Sequence, residues 1–393
     1  MRGMGRKLSI MLMTVAVLAL GSGTALATDW TFTDLSLQGG IVGDSYALGI
    51  NNNGDIVGKA SFAGLDTHDY HATLWSGGVA NDLGTLGLES SASSINDSGV
   101  IAGKAFVTTF PTDFKAALFS IGADPVNIHP YDIAYSVSSW SGIGDINNSG
   151  KMVGSLSTDY YDRLPILWSD SETYTILDAG PLNNGNAHRI NNLGQVTGLI
   201  AVNKYDSQGN YLGWFPEAAF WDADGTLTPL GTFDGKHCFT GGLNDLGQVL
   251  VNVDDGNAYE RWSYVWQDGA IGERLADLGG GLTDVHAINS DGLIVGTATT
   301  ADGEKHAVLW QAGEIIDLND LVSGTDLILE YASDINEQGQ IIGWGVRDDG
   351  TATGQTVAFL LSPNLTPTPV PTSVLLFGSG IAGLALIRRR MRA

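Results

Sequence analysis

The chain has 393 residues with 43 acidic against 19 basic side chains, and this net charge of −24 excludes nucleic acid, whose phosphates it would repel. A single cysteine, Cys238, excludes an internal disulfide, so stability has to come from packed core. Fifty-three glycines, with no helix-like runs of Ala, Leu, Glu and Lys, predict many short strands joined by tight turns.

Residues 1–27 read as a secretory signal. Arg2, Arg6 and Lys7 precede an apolar run from Leu8 to Leu20, and Ala25-Leu26-Ala27 places small residues where a signal peptidase looks. A membrane anchor fits less well, because the apolar run is short and Gly21-Ser22-Gly23-Thr24 follows at once. Next comes Phe32-Thr33-Asp34-Leu35-Ser36-Leu37, a strand-like stretch that belongs to no complete unit of its own.

A hydrophobe–Asn pair followed by two residues and Gly then recurs seven times. The copies are Asn51 with Gly54, Asn96 with Gly99, Asn147 with Gly150, Asn191 with Gly194, Asn244 with Gly247, Asn289 with Gly292 and Asn336 with Gly339. Successive Asn residues are 45, 51, 44, 53, 45 and 47 positions apart. The motif has hairpin chemistry: a strand ends at the hydrophobe, Asn caps the turn through nearby backbone, and Gly takes the positive-φ position. These Asn and Gly residues read as structural. The return strand ends on Gly in six units and on Val251 in the fifth.

Each unit carries a third strand, such as His71-Ala72-Thr73-Leu74-Trp75 or His306-Ala307-Val308-Leu309-Trp310, closed by an aromatic in six of seven. A fourth strand shares Asp-Leu, at Asp82-Leu83-Gly84, Asp277-Leu278-Gly279 and Asp317-Leu318-Asn319. Four short strands per unit of about 45 residues predict a blade, and seven units predict an all-β, seven-bladed propeller over residues 28–362. The last unit stops after its third strand at Leu361, so the stretch at Phe32 is expected to complete it and close the ring, leaving no open sheet edge. An open β-solenoid is the alternative, and it would need end caps that are not evident.

The chain ends in a Pro-rich spacer, residues 363–372, and an apolar segment, residues 373–393, finishing in Arg388, Arg389, Arg390 and Arg392. The tail resembles the PEP-CTERM sorting signals of Gram-negative bacteria through Val370-Pro371, Gly378-Ser379-Gly380 and the Arg cluster, with Thr372 where the motif has Glu. That resemblance implies a sorting protease of the exosortase type and delivery to the cell envelope or extracellular polymer. A plain C-terminal anchor in the inner membrane is the alternative. The repeats resemble the HAF-repeat family of extracellular bacterial proteins, most closely at His71-Ala72 through Gly87 and His306-Ala307 through Leu318. This implies location and architecture, and the His of that motif is missing from five units.

Seven of the 19 basic residues lie in residues 1–27 and 388–393, which leaves 12 against the same 43 acids between them. No phosphate-binding loop, zinc-ligand spacing or Gly-x-Ser-x-Gly elbow occurs, and no catalytic residue is assigned. His237 and Cys238 are strand neighbours on opposite faces. Calcium is the one cofactor considered, through Asp222-Ala223-Asp224-Gly225 or Asp254-Asp255-Gly256-Asn257, although ordinary turn chemistry explains both. The residues just before each Asn pair vary, and the polar deviants Asp145, His188, Arg189, His286 and Asp334 are candidate ligand contacts at the channel mouth; the alternative is solvated strand ends. Trp140, Tyr160-Tyr161 and Trp214 are placed either to stack on sugar rings or to pack between blades. The expected function is an exported binding or structural module for exopolysaccharide or another envelope protein. The alternative is a polysaccharide-acting enzyme, which would need two carboxyls about 5 to 10 Å apart.

Overall fold

The computed structural model describes residues 29–364, apart from 65–68, 109–112, 132–138, 158–161, 207, 232–235, 255–259 and 348–353. The export and sorting segments, Tyr160-Tyr161 and Asp255-Gly256-Asn257 therefore lie outside the described residues.

The seven sequence units become seven antiparallel blades in chain order. Blade 1 holds Ile41–Ile50, Ile56–Phe62, His71–Ser76 and Val79–Asp82; blade 2 holds Ser90–Ile95, Ile101–Val107, Asp113–Phe119 and Val126–Asn127. Blade 3 is Trp140–Ile146, Met152–Ser157, Arg163–Trp168 and Tyr174–Ile176, and blade 4 is Gly185–Ile190, Val196–Tyr205, Tyr211–Trp221 and Leu227–Gly231. Blade 5 is His237–Leu243, Val249–Asp254, Arg261–Gln267 and Ala270–Ile271, and blade 6 is Gly279–Ile288, Ile294–Thr300, Lys305–Gln311 and Glu314–Asp317. Blades 5 and 6 also touch through one parallel pairing, Arg261 with Leu282. Blade 7 takes Leu327–Ile335, Ile341–Arg347 and Gln355–Pro363 from the end of the chain, and its outer strand, Trp30–Asp34, from the beginning. The protein is thus a seven-bladed β-propeller closed by its N-terminal strand, with Phe32 opposite Leu361.

That closing strand spans 30–34, not 32–37, because Leu35 leaves the ladder and drops, 2 % exposed, into the core between blades 7 and 1. The same turn ends the outer strands of blades 1 and 6 and recurs at the entry to blade 6. Asp34, Asp82, Asp277 and Asp317 each accept the N–H two residues on, so the Asp folds the chain and the next residue turns inward. Blade 5 corrects the expectation for Asp277-Leu278-Gly279: its outer strand is Ala270–Ile271, and Gly279 already opens blade 6.

The core is divided into seven apolar clusters, each filling one blade–blade interface. Both faces of a third strand are covered by neighbouring blades, which is why these strands read as nearly continuous hydrophobes. Their terminal Trp residues also bridge blades: the Nε1 groups of Trp75, Trp221 and Trp310 donate to the carbonyls of Leu35, Asp178 and Ala276 at 3.1, 2.9 and 2.8 Å. The two His residues of the His-Ala motif face the Asp of Asp-Leu in the same blade, His71 with Asp82 at 2.9 Å and His306 with Asp317 at 2.5 Å. They tie third to outer strand far from the axis.

Candidate functional site: the axial channel

The seven inner strands line the axis, and hairpins to the second strands put all seven Asn-x-x-Gly turns at one end. Each Asn carboxamide does two things there. Its oxygen accepts the N–H groups two and four residues on, as Asn51 does from Asn53 and Asp55, which closes its own hairpin. Its NH2 donates to the backbone carbonyl of the corresponding Asn in the next blade, at 3.0–3.1 Å. The chain of donors runs from Asn51 through Asn96, Asn147, Asn191, Asn244 and Asn289 to Asn336, and from Asn336 back to Asn51. The result is a closed ring of seven inter-blade hydrogen bonds, all from buried side chains.

The glycines of the motif complete the turns. Gly54, Gly99, Gly150, Gly194, Gly247, Gly292 and Gly339 all have φ between +74° and +82°. Each donates its N–H to the carbonyl of the Asn three residues earlier, at 2.9–3.2 Å. A Cβ at Gly99, Gly150 or Gly292 would meet no atom within 4 Å, and those at the other four would meet none closer than 3.4 Å. The demand for Gly here is therefore one of backbone conformation, not of space.

Above this ring every inner strand is irregular at the same repeat position. Six skip one residue in pairing, at Leu48, Ser93, Gly144, His188, His286 and Ser333, and blade 5 skips two, Gly241 and Gly242. The bulge turns additional side chains toward the axis and pushes a carbonyl against the second strand. There the return-strand Gly is obligatory for the opposite reason: a Cβ on Gly58 would lie 1.9 Å from the Tyr46 oxygen, and one on Gly343 1.8 Å from the Tyr331 oxygen. In blade 5 the wider bulge relieves that contact, so Val251 is accommodated, and the crowding moves to Gly241, whose Cβ would lie 2.2 Å from the Val285 oxygen.

Asp145 and Asp334 sit immediately above the Asn ring. Asp145 accepts from Ser94 Oγ, Ile146 N and, in the next blade, Ile190 N; Asp334 accepts from Ile335 N and, across the ring closure, Ile50 N. Burial raises both carboxyls, Asp334 to about 6, while the Arg189 guanidinium pulls them down. Both thus bridge adjacent blades at the waist of the channel.

The opposite end, toward the loops joining second and third strands, opens into a cavity of about 540 Å³. His188, Arg189 and His286 line it, so three of the five expected contacts share one mouth. His286 Nδ1 lies 2.8 Å from the Ala332 carbonyl, which can only accept, so the proton is on Nδ1. Burial lowers the His286 pKa, and its Nε2 is a buried lone pair with no hydrogen-bond partner, 3.8 Å from Asp284. His188, 3.2 Å from Thr240 Oγ1, is pushed down by burial to about 4 and is neutral. Arg189 donates one long bond, 3.4 Å, to the His188 carbonyl, and forms no ion pair among the described residues.

Aromatic rings frame this mouth. His286 stacks on Tyr331 at 3.9 Å, Tyr331 on Trp344 at 3.9 Å, and Trp344 meets Tyr46 edge-on at 5.5 Å. Trp140 lines the cavity beneath Arg163. Trp214 stands on the longest hairpin, Val196–Tyr205 with Tyr211–Trp221, and is 63 % exposed. Sequence reasoning missed Tyr331 and Trp344; Trp344 follows a return-strand Gly, at the repeat position held by Lys59 and Lys104 in blades 1 and 2, and that shared position was the available signal. Asp222-Ala223-Asp224-Gly225 folds as a turn closed by Gly225 N to the Asp222 carbonyl, and among the described residues no group of three or more His, Cys, Asp or Glu is placed to hold a metal ion.

No family model matches the chain, and no curated protein matches it. Solved structures resemble it in architecture. A gluconolactonase from Xanthomonas campestris is 11 % identical with a TM-score of 0.39, over 86 % of this chain and 91 % of that one. The AofleA protein of Arthrobotrys oligospora is 9 % identical with a TM-score of 0.34, over 82 % and 84 %. A post-proline cleaving enzyme from Rickettsia typhi is 10 % identical with a TM-score of 0.43, over 75 % of this chain and 48 % of that one. At such identities none of them carries an activity across.

Proposed function

We propose that the protein is an exported, envelope- or matrix-associated binding module, and that its ligand is a saccharide segment of extracellular polysaccharide held at the loop-end mouth of the channel. The observation that carries this reading is the floor of the mouth: a buried His286 lone pair and an Arg189 guanidinium without an ion pair, framed by aromatic rings. Sugars present hydroxyls that satisfy such groups and C–H faces that pack on rings, and Trp214 on the blade 4 hairpin is a further exposed ring. A binding role is favoured over hydrolysis because Asp284 is the one acidic side chain among the described residues lining the cavity, and it is already paired with Arg261 at 2.5 Å. The secretory and sorting segments support the location, with an exosortase-type protease acting on the tail.

The test is retention of the full-length chain on a panel of bacterial exopolysaccharides, with and without calcium, beside a variant carrying His188→Ala, Arg189→Ala and His286→Ala. Selective retention by the parent and its loss in the variant is the expected result. Equal retention of the two would remove the mouth from the account, release of shortened product would make the protein an enzyme, and no retention on any polymer would reject the saccharide reading in favour of an envelope-protein partner.

A further inference from the structure

Four of the bases that this acid-rich chain keeps between residues 29 and 364 form ion pairs. Lys236, Arg261, Arg274 and Arg347 each face a carboxylate. Eight others form no ion pair among the described residues, and three of these, Lys59, Lys104 and Arg189, line the loop end of the channel, Arg189 acting on Asp145 and Asp334 beneath it only at longer range. The mouth cavity continues into a second one of about 620 Å³ over blades 1 and 2, the two sharing Leu48, Ser93, Lys104 and Trp344.

Ring faces hold both lysines outside any ion pair; burial lowers the Lys59 pKa, and Glu89 and Asp44 act on it in the opposite sense from a distance. Lys59 Nζ lies 4.7 and 4.3 Å from the Tyr46 and Tyr70 ring centres, and Lys104 Nζ 4.7 Å from that of Phe114. A ring face fixes a cation and leaves its charge available. Glu89 is the acid in this groove, and Asp284 in the mouth is committed to Arg261. At the inner end, His286 Nε2 is an unpartnered acceptor on a side chain 8 % exposed, beside a guanidinium whose donors are nearly all free. A carboxylate for Arg189 and a hydroxyl for His286 would satisfy both, and a uronic acid carries the two on one ring.

Resting on the saccharide reading above, we infer that the mouth and its groove select an acidic glycan, with one uronate carboxylate on Arg189 and following residues of the polymer passing Lys104 and Lys59. The acidic remainder of the surface repels such a polymer, which confines it to this track.

The experiment uses the full-length chain and hexamers of galacturonate, mannuronate and guluronate, each beside its carboxyl-reduced neutral form, with binding read by calorimetry. At least one uronate hexamer is expected to bind at least about tenfold more tightly than its reduced counterpart, and Arg189→Gln and Lys104→Gln each to weaken it about tenfold. Lys104→Gln guards against misfolding, since Lys104 lies in the groove and not at the packed waist; its melting temperature is expected to stay at the parent value. Equal binding of acidic and reduced hexamers would overturn the inference and leave the saccharide reading standing. So would silence of all six from a chain that is still retained on a polysaccharide. Silence on hexamers and polymers together would overturn both.

Discussion

The two ends of the channel are built from the same seven strands under opposite rules. At the turn end one residue type occupies all seven blades, since each Asn closes its own hairpin and also reaches the next blade. At the loop end, only a few residues away, the equivalent position is Leu48, Ser93, Gly144, His188, Gly241, His286 and Ser333, and nothing obliges these to agree. A ring of hydrogen bonds fails at its weakest member, so identity there reports geometry. A mouth needs only to be lined, so deviation there reports chemistry that the ring itself does not require.

The comparison breaks first if the ring does not need closing. Deleting residues 29–36 removes the outer strand of blade 7 and Leu35 with it, and exposes the edge of Gln355–Pro363. Loss of a cooperatively folded monomer is expected, seen as aggregation and loss of the melting transition in circular dichroism. Next in size is Gly343→Ala, which places a Cβ 1.8 Å from the Tyr331 oxygen and should cost more than about 3 kcal/mol. In blade 5 the sensitive position should move to Gly241, a shift that denaturant titration of the two variants would register.

Asn244→Ala comes third. It leaves Leu246 N and Gln248 N without their acceptor and the Asn289 carbonyl without its donor, a loss of about 3 kcal/mol. A cost below about 1 kcal/mol in denaturant titration would mean that the ring is decorative.

Much of this was legible in advance. The Asn-x-x-Gly spacing counts the blades, and the unpaired stretch at Phe32 foretells the closure. What was hidden lies across space. The local reading of Asn as a turn cap is half of its role, because the other partner is 44 to 53 residues away along most of the ring. The return-strand Gly reads as a strand end until pairing shows the carbonyl pressed against it. Asp145 and Asp334 stand out in sequence as polar deviants together with His188, Arg189 and His286, but backbone N–H groups of neighbouring blades occupy their oxygens, and no local pattern announces that.

The waist and the mouth also respond to pH in opposite senses. A folded-state pKa for Asp334 raised from 3.8 to about 6 means that the folded protein holds this proton more tightly than the unfolded chain. Its contribution is fully present below about 3.8 and is lost as pH rises through about 6; Asp145 shifts in the same direction. His188 and His286 are lowered by burial, so their contribution is present above their ordinary value of 6.5 and declines as pH falls below it. Asp82 and Asp97 also act against Asp334, but at lower pH: burial raises them, their hydrogen bonds outweigh it, and their stabilisation disappears as pH falls through their depressed pKa values. Comparing the parent with Asp334→Asn isolates the carboxyl from the imidazoles. Between pH 8 and pH 5.5 the parent is expected to gain about 1 kcal/mol relative to the variant in denaturant titration. A difference that stays constant over this range would mean that Asp334 is ionised throughout.

The smallest effect is the one that decides whether the mouth is free of structural duty. Lys104→Gln removes no ion pair, and the contact with the Phe114 ring is worth about 0.5 kcal/mol at an accessible site. Differential scanning calorimetry should therefore place the variant within about 1 °C of the parent. A loss comparable to that of Asn244→Ala would show that the loop end is tied into the ring as tightly as the turn end, and its variation from blade to blade would then need a packing explanation instead of a ligand.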